Sequence, residues 1–198
     1  MTKEIITLLV VIIPAILGSP FLIMWYKNYL QRKNKYKLIN KRIQNDNTII
    51  DRLYKVLYES KASRAFIYQL HPESNPMFMS CAYEVVKTGI SKEINNLQGM
   101  LLSEWNDFLM VVKNDGLILI EDVEKLEDLP LKALLKNKGV KTACGNAIFD
   151  KYGSLKGFIG IDYINDTNII TEEIQQMLAE QANYLQKYLG EYQQCAKF

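Results

Sequence analysis

The sequence predicts an α+β protein: an antiparallel sheet of about five strands with flanking helices, preceded by one transmembrane helix and a connecting helix. Three observations predict it. Short strands rich in β-branched and aromatic residues come in hairpins, not in strand–helix–strand alternation. Helical stretches with an apolar face sit before the first strand and after the last. Residues 5–26, IITLLVVIIPAILGSPFLIMWY, run for 22 residues without a charge. The composition agrees. Of 198 residues, 48% are hydrophobic and 23% charged, a globular mixture that excludes a disordered or fibrous chain.

The apolar run comes first. At 1.5 Å per residue it reaches roughly 33 Å, enough to cross a ~30 Å hydrocarbon layer. Trp25 and Tyr26 close it with rings suited to a membrane interface. Pro14 and Pro20 bend a membrane helix at lower cost than a soluble one. A cleaved signal peptide would have a shorter core and a basic start, whereas here Lys3 and Glu4 cancel and the run continues past Gly18, Ser19 and Pro20. Lys27, Arg32, Lys33, Lys35, Lys37, Lys41 and Arg42 follow with no acid among them. Positive charge stays on the cytoplasmic side, so the N-terminus is expected outside and the remainder inside. The chain thus reads as a transmembrane anchor (1–27), a basic juxtamembrane segment (28–44) and a cytoplasmic domain (45–198). It is a single-pass protein of the inner, cytoplasmic membrane. Trp25, Tyr26, Lys27, Arg32 and Lys33 are the membrane-interface candidates, and the lipid bilayer is the first expected partner. Beyond residue 42 there are 16 basic and 21 acidic residues, a balance that disfavours nucleic acid as a partner.

The connecting helix follows. Between 36 and 60 there is no Pro or Gly, and Ile39, Ile43, Asp46, Ile50, Leu53 and Leu57 form a heptad seam with one polar interruption. Such a seam suits a parallel coiled coil or a helix lying on the domain's own sheet. Arg64–Leu70 and Met77–Val86 read as strands around the turn residues 71–76. Residues 92–113 read as helical or irregular, with a break at Gly99. Gly116–Val123 is a strand, and Leu131–Lys138 a short helix that Gly139 closes. Lys141–Asp150 and Lys156–Ile164 form a second hairpin. A closing helix over 171–192, with Thr171 as N-cap, repeats Ile174, Leu178, Gln181, Leu185 and Tyr188 at helical spacing. Helices 36–60 and 171–192 are the expected surfaces for homo-oligomer formation.

The segments DRLYKVLYESKASRAFIYQLHP (51–72), GLILIEDVEKL (116–126) and GNAIFDKYGSLKGFIGIDYIND (145–166) resemble the GAF domain, a sensory module related in shape to PAS. The resemblance covers about residues 45–192. MSCAYEVVKTGIS (79–91) resembles a subset of GAF-like proteins that carry an N-terminal membrane helix and are often encoded by bacteriophages. The resemblance implies signalling through a small-molecule ligand held between the sheet and the insert around 92–138. Tyr68, Ser80, Tyr83, Trp105, Asn146 and Asp162 are the candidate ligand-binding residues. The same residue types also suit an ordinary core. The set that marks cyclic-nucleotide-binding members has no match here, and the Cys beside a His that marks bilin attachment is absent.

Chemistry in the chain is sparse. One histidine and three separated cysteines give no metal site. No phosphate loop, nucleophile elbow or cofactor motif is present, so no catalytic residue and no cofactor is assigned. His71 and Cys81 flank a hairpin, where a turn histidine and a core thiol account for both. The expected function is therefore a non-enzymatic, membrane-anchored sensing or protein-interaction module. Two alternatives stand beside it. One is a structural or membrane-acting phage protein of holin-like or lysis-regulating type. The other is a thiol-based redox enzyme using Cys81 and Cys144 as neighbours in the sheet.

Overall fold

The computed structural model describes residues 20–164 and 170–192. The chain divides into two compact units between Asp46 and Asn47. Most of the expected transmembrane run, residues 5–19, lies outside the described residues. Among those described, no helix is long and apolar enough to cross a membrane.

Helix α1 runs Pro20–Ser60. Its expected seam divides in two. Ile39 and Ile43 are exposed, whereas Ile49, Leu53, Val56 and Leu57 are buried in the domain's core. Over that last stretch the helix lies on the chain's own sheet, one of the two arrangements the seam allowed. The helix ends at Ser60, whose hydroxyl donates to the Val56 carbonyl at 2.7 Å, and Lys61 follows with φ +58°. The Tyr163 hydroxyl donates to the Ser60 carbonyl at 2.8 Å, so a buried ring satisfies an acceptor that the helix end would leave open.

The strands are β1 (Arg64–His71), β2 (Phe78–Val86), β3 (Met100–Leu101), β4 (Leu117–Ile120), β5 (Val140–Phe149) and β6 (Leu155–Ile164). They form one antiparallel sheet in the order β3-β2-β1-β6-β5-β4. The sheet thus has six strands where about five were expected. The additional one, β3, is two residues long and too short for any alternation to register in sequence. Helix α2 (Asn106–Asp115) follows β3, α3 (Leu129–Asn137) precedes β5, and α4 (Glu172–Tyr192) follows β6. Single 3₁₀ turns at Ile94–Asn96, Leu102–Glu104 and Val123–Lys125 complete the insert between β2 and β5.

Alternation along the strands gives the sheet two buried faces. On one, Ala65, Ile67, Cys144, Ile148, Ile159, Ile161 and Tyr163 pack against α1 and against Leu178, Ala182, Leu185 and Leu189 of α4. The other face carries Tyr68, Met79, Cys81, Ala147 and Phe158, covered by Leu97, Leu102, Leu109 and Val112 of the insert. Gly157 lets β6 lie against β1, because a Cβ there would sit 2.0 Å from the Tyr68 carbonyl oxygen.

Candidate functional site

The insert face forms a partly open cavity of about 70 Å³. Its walls are mainly aromatic and aliphatic. Tyr68 stacks on Phe158 at 4.9 Å between ring centroids, and Phe66 and Phe108 meet this pair edge-on at 5.5 and 5.6 Å. Met79 and Ile118 are among the further apolar residues of the lining. The strand register explains the grouping. Tyr68 faces Cys81 on one side and Phe158 on the other, so one row across β2, β1 and β6 points into the same space.

One end of the cavity is charged. Arg64 and Asp162 are register partners on β1 and β6, and both are almost fully buried, at 3% and 4% exposure. Arg64 Nε donates to both carboxylate oxygens of Asp162 at 3.0 and 2.9 Å. Arg64 Nη2 also lies 2.9 Å from Asp162 Oδ2, an ion-pair distance, but it makes no aligned hydrogen bond. Burial pushes the Asp162 carboxyl above the usual carboxylate range, against the opposing pull of Arg64. Glu84 is buried as well, and its Oε2 accepts the backbone N–H groups of Glu93 and Ile94 at 2.8 Å each. Lys138, at the end of α3, lines the same space, and burial lowers its ammonium to about 8. Trp105 Nε1 is buried on this cavity and has no hydrogen-bond partner.

Of the six residues singled out in sequence, Tyr68, Trp105 and Asp162 line the cavity. The other three do not. The Ser80 hydroxyl accepts the Gly99 N–H at 3.0 Å and so ties the insert to β2. Tyr83 packs on the helix-side core. Asn146 alternates with Cys144 and Ile148, which places it on the helix side too. Sequence reasoning passed over Arg64, Glu84 and Lys138. The signal for the first two was a charged residue within an otherwise apolar strand, the same signal that drew notice to Asp162.

Sheet topology corrects the thiol-pair expectation. Cys81 on β2 and Cys144 on β5 are separated by β1 and β6, about 14 Å at one strand spacing per step. Their side chains also sit in cores on opposite faces of the sheet. A disulfide needs Cα atoms within about 7 Å, so these two cannot form one. Burial pushes the Cys81 thiol up to about 12 and the Cys144 thiol up to about 11. His71 lies three register positions from Cys81's partner Tyr68, about 10 Å along the strand, and stacks on Phe78 at 4.5 Å.

Comparison with solved structures bears on the architecture. A far-red cyanobacteriochrome photoreceptor matches with a TM-score of 0.64 at 15% identity, over 82% of this chain and 97% of that one. The photoproduct state of a GAF domain from Synechocystis matches at 0.63 and 15%, over 78% and 98%. A far-red-absorbing dark state with bound biliverdin matches at 0.58 and 16%, over 70% and 85%. The fold is GAF-like. No family model matches the chain. No curated protein matches it either. The GAF-like sheet and insert therefore rest on geometry, and the cavity lies between them, where the ligand space was expected.

Proposed function

We propose that this protein is a membrane-anchored, non-enzymatic sensing module of the kind bacteriophages encode, with its GAF-like domain in the cytoplasm and a small molecule as its signal. The observation that carries the proposal is the cavity itself. It has apolar walls, one charged end, and two buried N–H donors that make no aligned hydrogen bond. Buried donors of that kind cost free energy unless something accepts from them, so a site with two of them favours a bound partner over a finished core.

Bilin does not fit. A drug-sized ligand occupies roughly 300–1,000 Å³, far above the 70 Å³ of this partly open cavity, and among the described residues no thiol lies beside a histidine to attach one. The non-enzymatic reading is supported by the separation of Cys81 and Cys144, by their strongly protonated thiols and by the distance of His71 from Cys81. The anchor reading is supported by the uncharged run of 5–26 and the basic residues after it. Output would pass through α1 and α4, which cover the sheet face opposite the cavity. A ligand shifts such a module only by its different affinity for two arrangements of those helices. Self-association is proposed for the exposed Ile39–Ile43 part of α1.

The test is native mass spectrometry of the full chain released gently from membranes into detergent micelles. A defined extra mass that disappears on denaturation supports the sensing reading. A bare chain at every stage of purification, from protein found in the membrane fraction, moves the reading to a structural, membrane-acting protein. Recovery in the soluble fraction overturns the anchor.

A further inference from the structure

The two groups in the cavity that make no aligned hydrogen bond are both donors. Trp105 Nε1 is fully enclosed and has no acceptor, and Arg64 Nη2, equally enclosed, lies 2.9 Å from Asp162 Oδ2 without an aligned hydrogen bond. Two nearby acceptors are engaged: Asp162 takes both its oxygens to Arg64 Nε, and Glu84 Oε2 holds two backbone N–H groups. What these two donors lack is an aligned oxygen that accepts. The charge count then narrows the source of that oxygen. Three carboxylates (Glu84, Glu93 and Asp162) line the cavity against two cations (Arg64 and Lys138). Adding an anion would enlarge a negative excess in a poorly solvated space, which costs more there than in water. A ligand cation would offer more donors where acceptors are wanted. The remaining wall is aromatic and aliphatic, and it suits an apolar body.

We infer that the cavity takes a small, uncharged molecule whose apolar body carries a carbonyl oxygen, and that this oxygen accepts from Arg64 Nη2, Trp105 Nε1 or both. The inference rests on the sensing reading above and names the class of its signal. Size follows from volume. The 70 Å³ admits about five water-sized probes, so the ligand is a compact ketone, aldehyde, lactone or small amide. Water can satisfy the same donors, and the ligand's oxygen takes that water's place while its body fills the apolar remainder.

The experiment uses the full chain in detergent micelles with three probes. They are cyclopentanone, methylenecyclopentane (the same shape without the oxygen) and the anion cyclopropanecarboxylate. Binding is read by NMR from two places, the indole N–H of Trp105 and the methyl of Met79, which lines the same cavity. The chain has two tryptophans, so Trp25→Phe assigns the indole signals. Cyclopentanone is expected to shift both reporters saturably and to bind about tenfold tighter than methylenecyclopentane, the worth of one net hydrogen bond. Trp105→Phe, which keeps a ring and loses the donor, or Arg64→Lys, which keeps the charge and loses the fork, should remove most of that tenfold, weakening cyclopentanone more than methylenecyclopentane. Equal binding of ketone and hydrocarbon overturns the carbonyl class and leaves a ligand cavity. Tightest binding by the carboxylate overturns neutrality. Silence from all three probes overturns the class if native mass spectrometry still finds a retained molecule. If it finds none, the sensing reading falls as well.

Discussion

Replacing Asp162 by Ala should be among the most damaging single changes in the chain, although the ion pair it breaks adds little net stability. Arg64 and Asp162 are 3% and 4% exposed, so neither charge is solvated in the folded protein. With charge centres about 4 Å apart and an effective dielectric constant of about 20, their attraction is about 4 kcal/mol. Desolvation opposes it. The Asp162 carboxyl lies above its ordinary range because burial outweighs Arg64, which means the attraction does not fully offset the loss of water. Asp162→Ala removes the attraction and leaves the guanidinium buried and alone, at a cost of about 3–5 kcal/mol. With a urea m-value of about 2 kcal/mol per molar, the unfolding midpoint falls by about 2 M. The double variant Arg64→Met/Asp162→Leu should lie close to the parent, because it removes both desolvated charges together. The assay is urea unfolding followed by Trp105 fluorescence in a Trp25→Phe background, so that only the domain reports. A loss below about 1 kcal/mol in Asp162→Ala, or a double variant as unstable as the single one, would refute the argument that a stranded charge dominates.

Gly157→Ala should destabilise by about 3 kcal/mol or more. Its Cβ would meet the Tyr68 backbone at 2.0 Å and force β1 and β6 apart, and loss of their amide protection in hydrogen exchange is the check. Gly160→Ala should be milder, because its new methyl meets the Phe66 ring at 2.5 Å and a side chain can yield; the ring then moves at the cavity wall, and a weaker response to cyclopentanone follows. Lys138 has its ammonium lowered to about 8 in the folded state, so folding favours its neutral form. Its contribution to stability therefore rises with pH from about 8 to its unfolded value near 10.4, and Lys138→Met should flatten the difference curve over that window. Cys81 and Cys144 should resist iodoacetamide in native protein at pH 8 and react once it is unfolded, since the folded thiols ionise only near 12 and 11.

Much of the fold was legible because the determining signals are local. Alternating β-branched residues and hairpin turns mark β1, β2, β5 and β6, and the positive φ of Gly139 follows from its place after a short helix. The two-residue β3 was not legible, because its pairing with Phe78 and Met79 is a long-range contact with no periodic trace. The seam on α1 shows a different limit. Its spacing fixes which face is apolar but not what covers that face, and Ile49, Leu53 and Leu57 are covered by the chain's own sheet while Ile39 and Ile43 are exposed.

The candidate site was harder to read, for a reason that also explains its chemistry. Which face a strand residue occupies depends on register, and β1 and β2 shift register between Ile67 and Tyr68. That irregularity lets Cys81 face the cavity while Tyr83 packs on the helix-side core, although both hold odd positions on one strand. No count along the sequence separates them. Arg64 and Asp162 are separated by 98 positions and meet only because β1 pairs with β6. Read alone, each is a charge out of place in an apolar strand. Paired, they satisfy each other incompletely. The guanidinium commits Nε to the carboxylate and holds Nη2 2.9 Å from it without an aligned hydrogen bond, and the Trp105 indole N–H on the same cavity has no partner. A core selected only for packing would lose little from replacing both charges with apolar side chains. Keeping a desolvated pair with a poorly aligned donor makes physical sense where something else comes to accept from it.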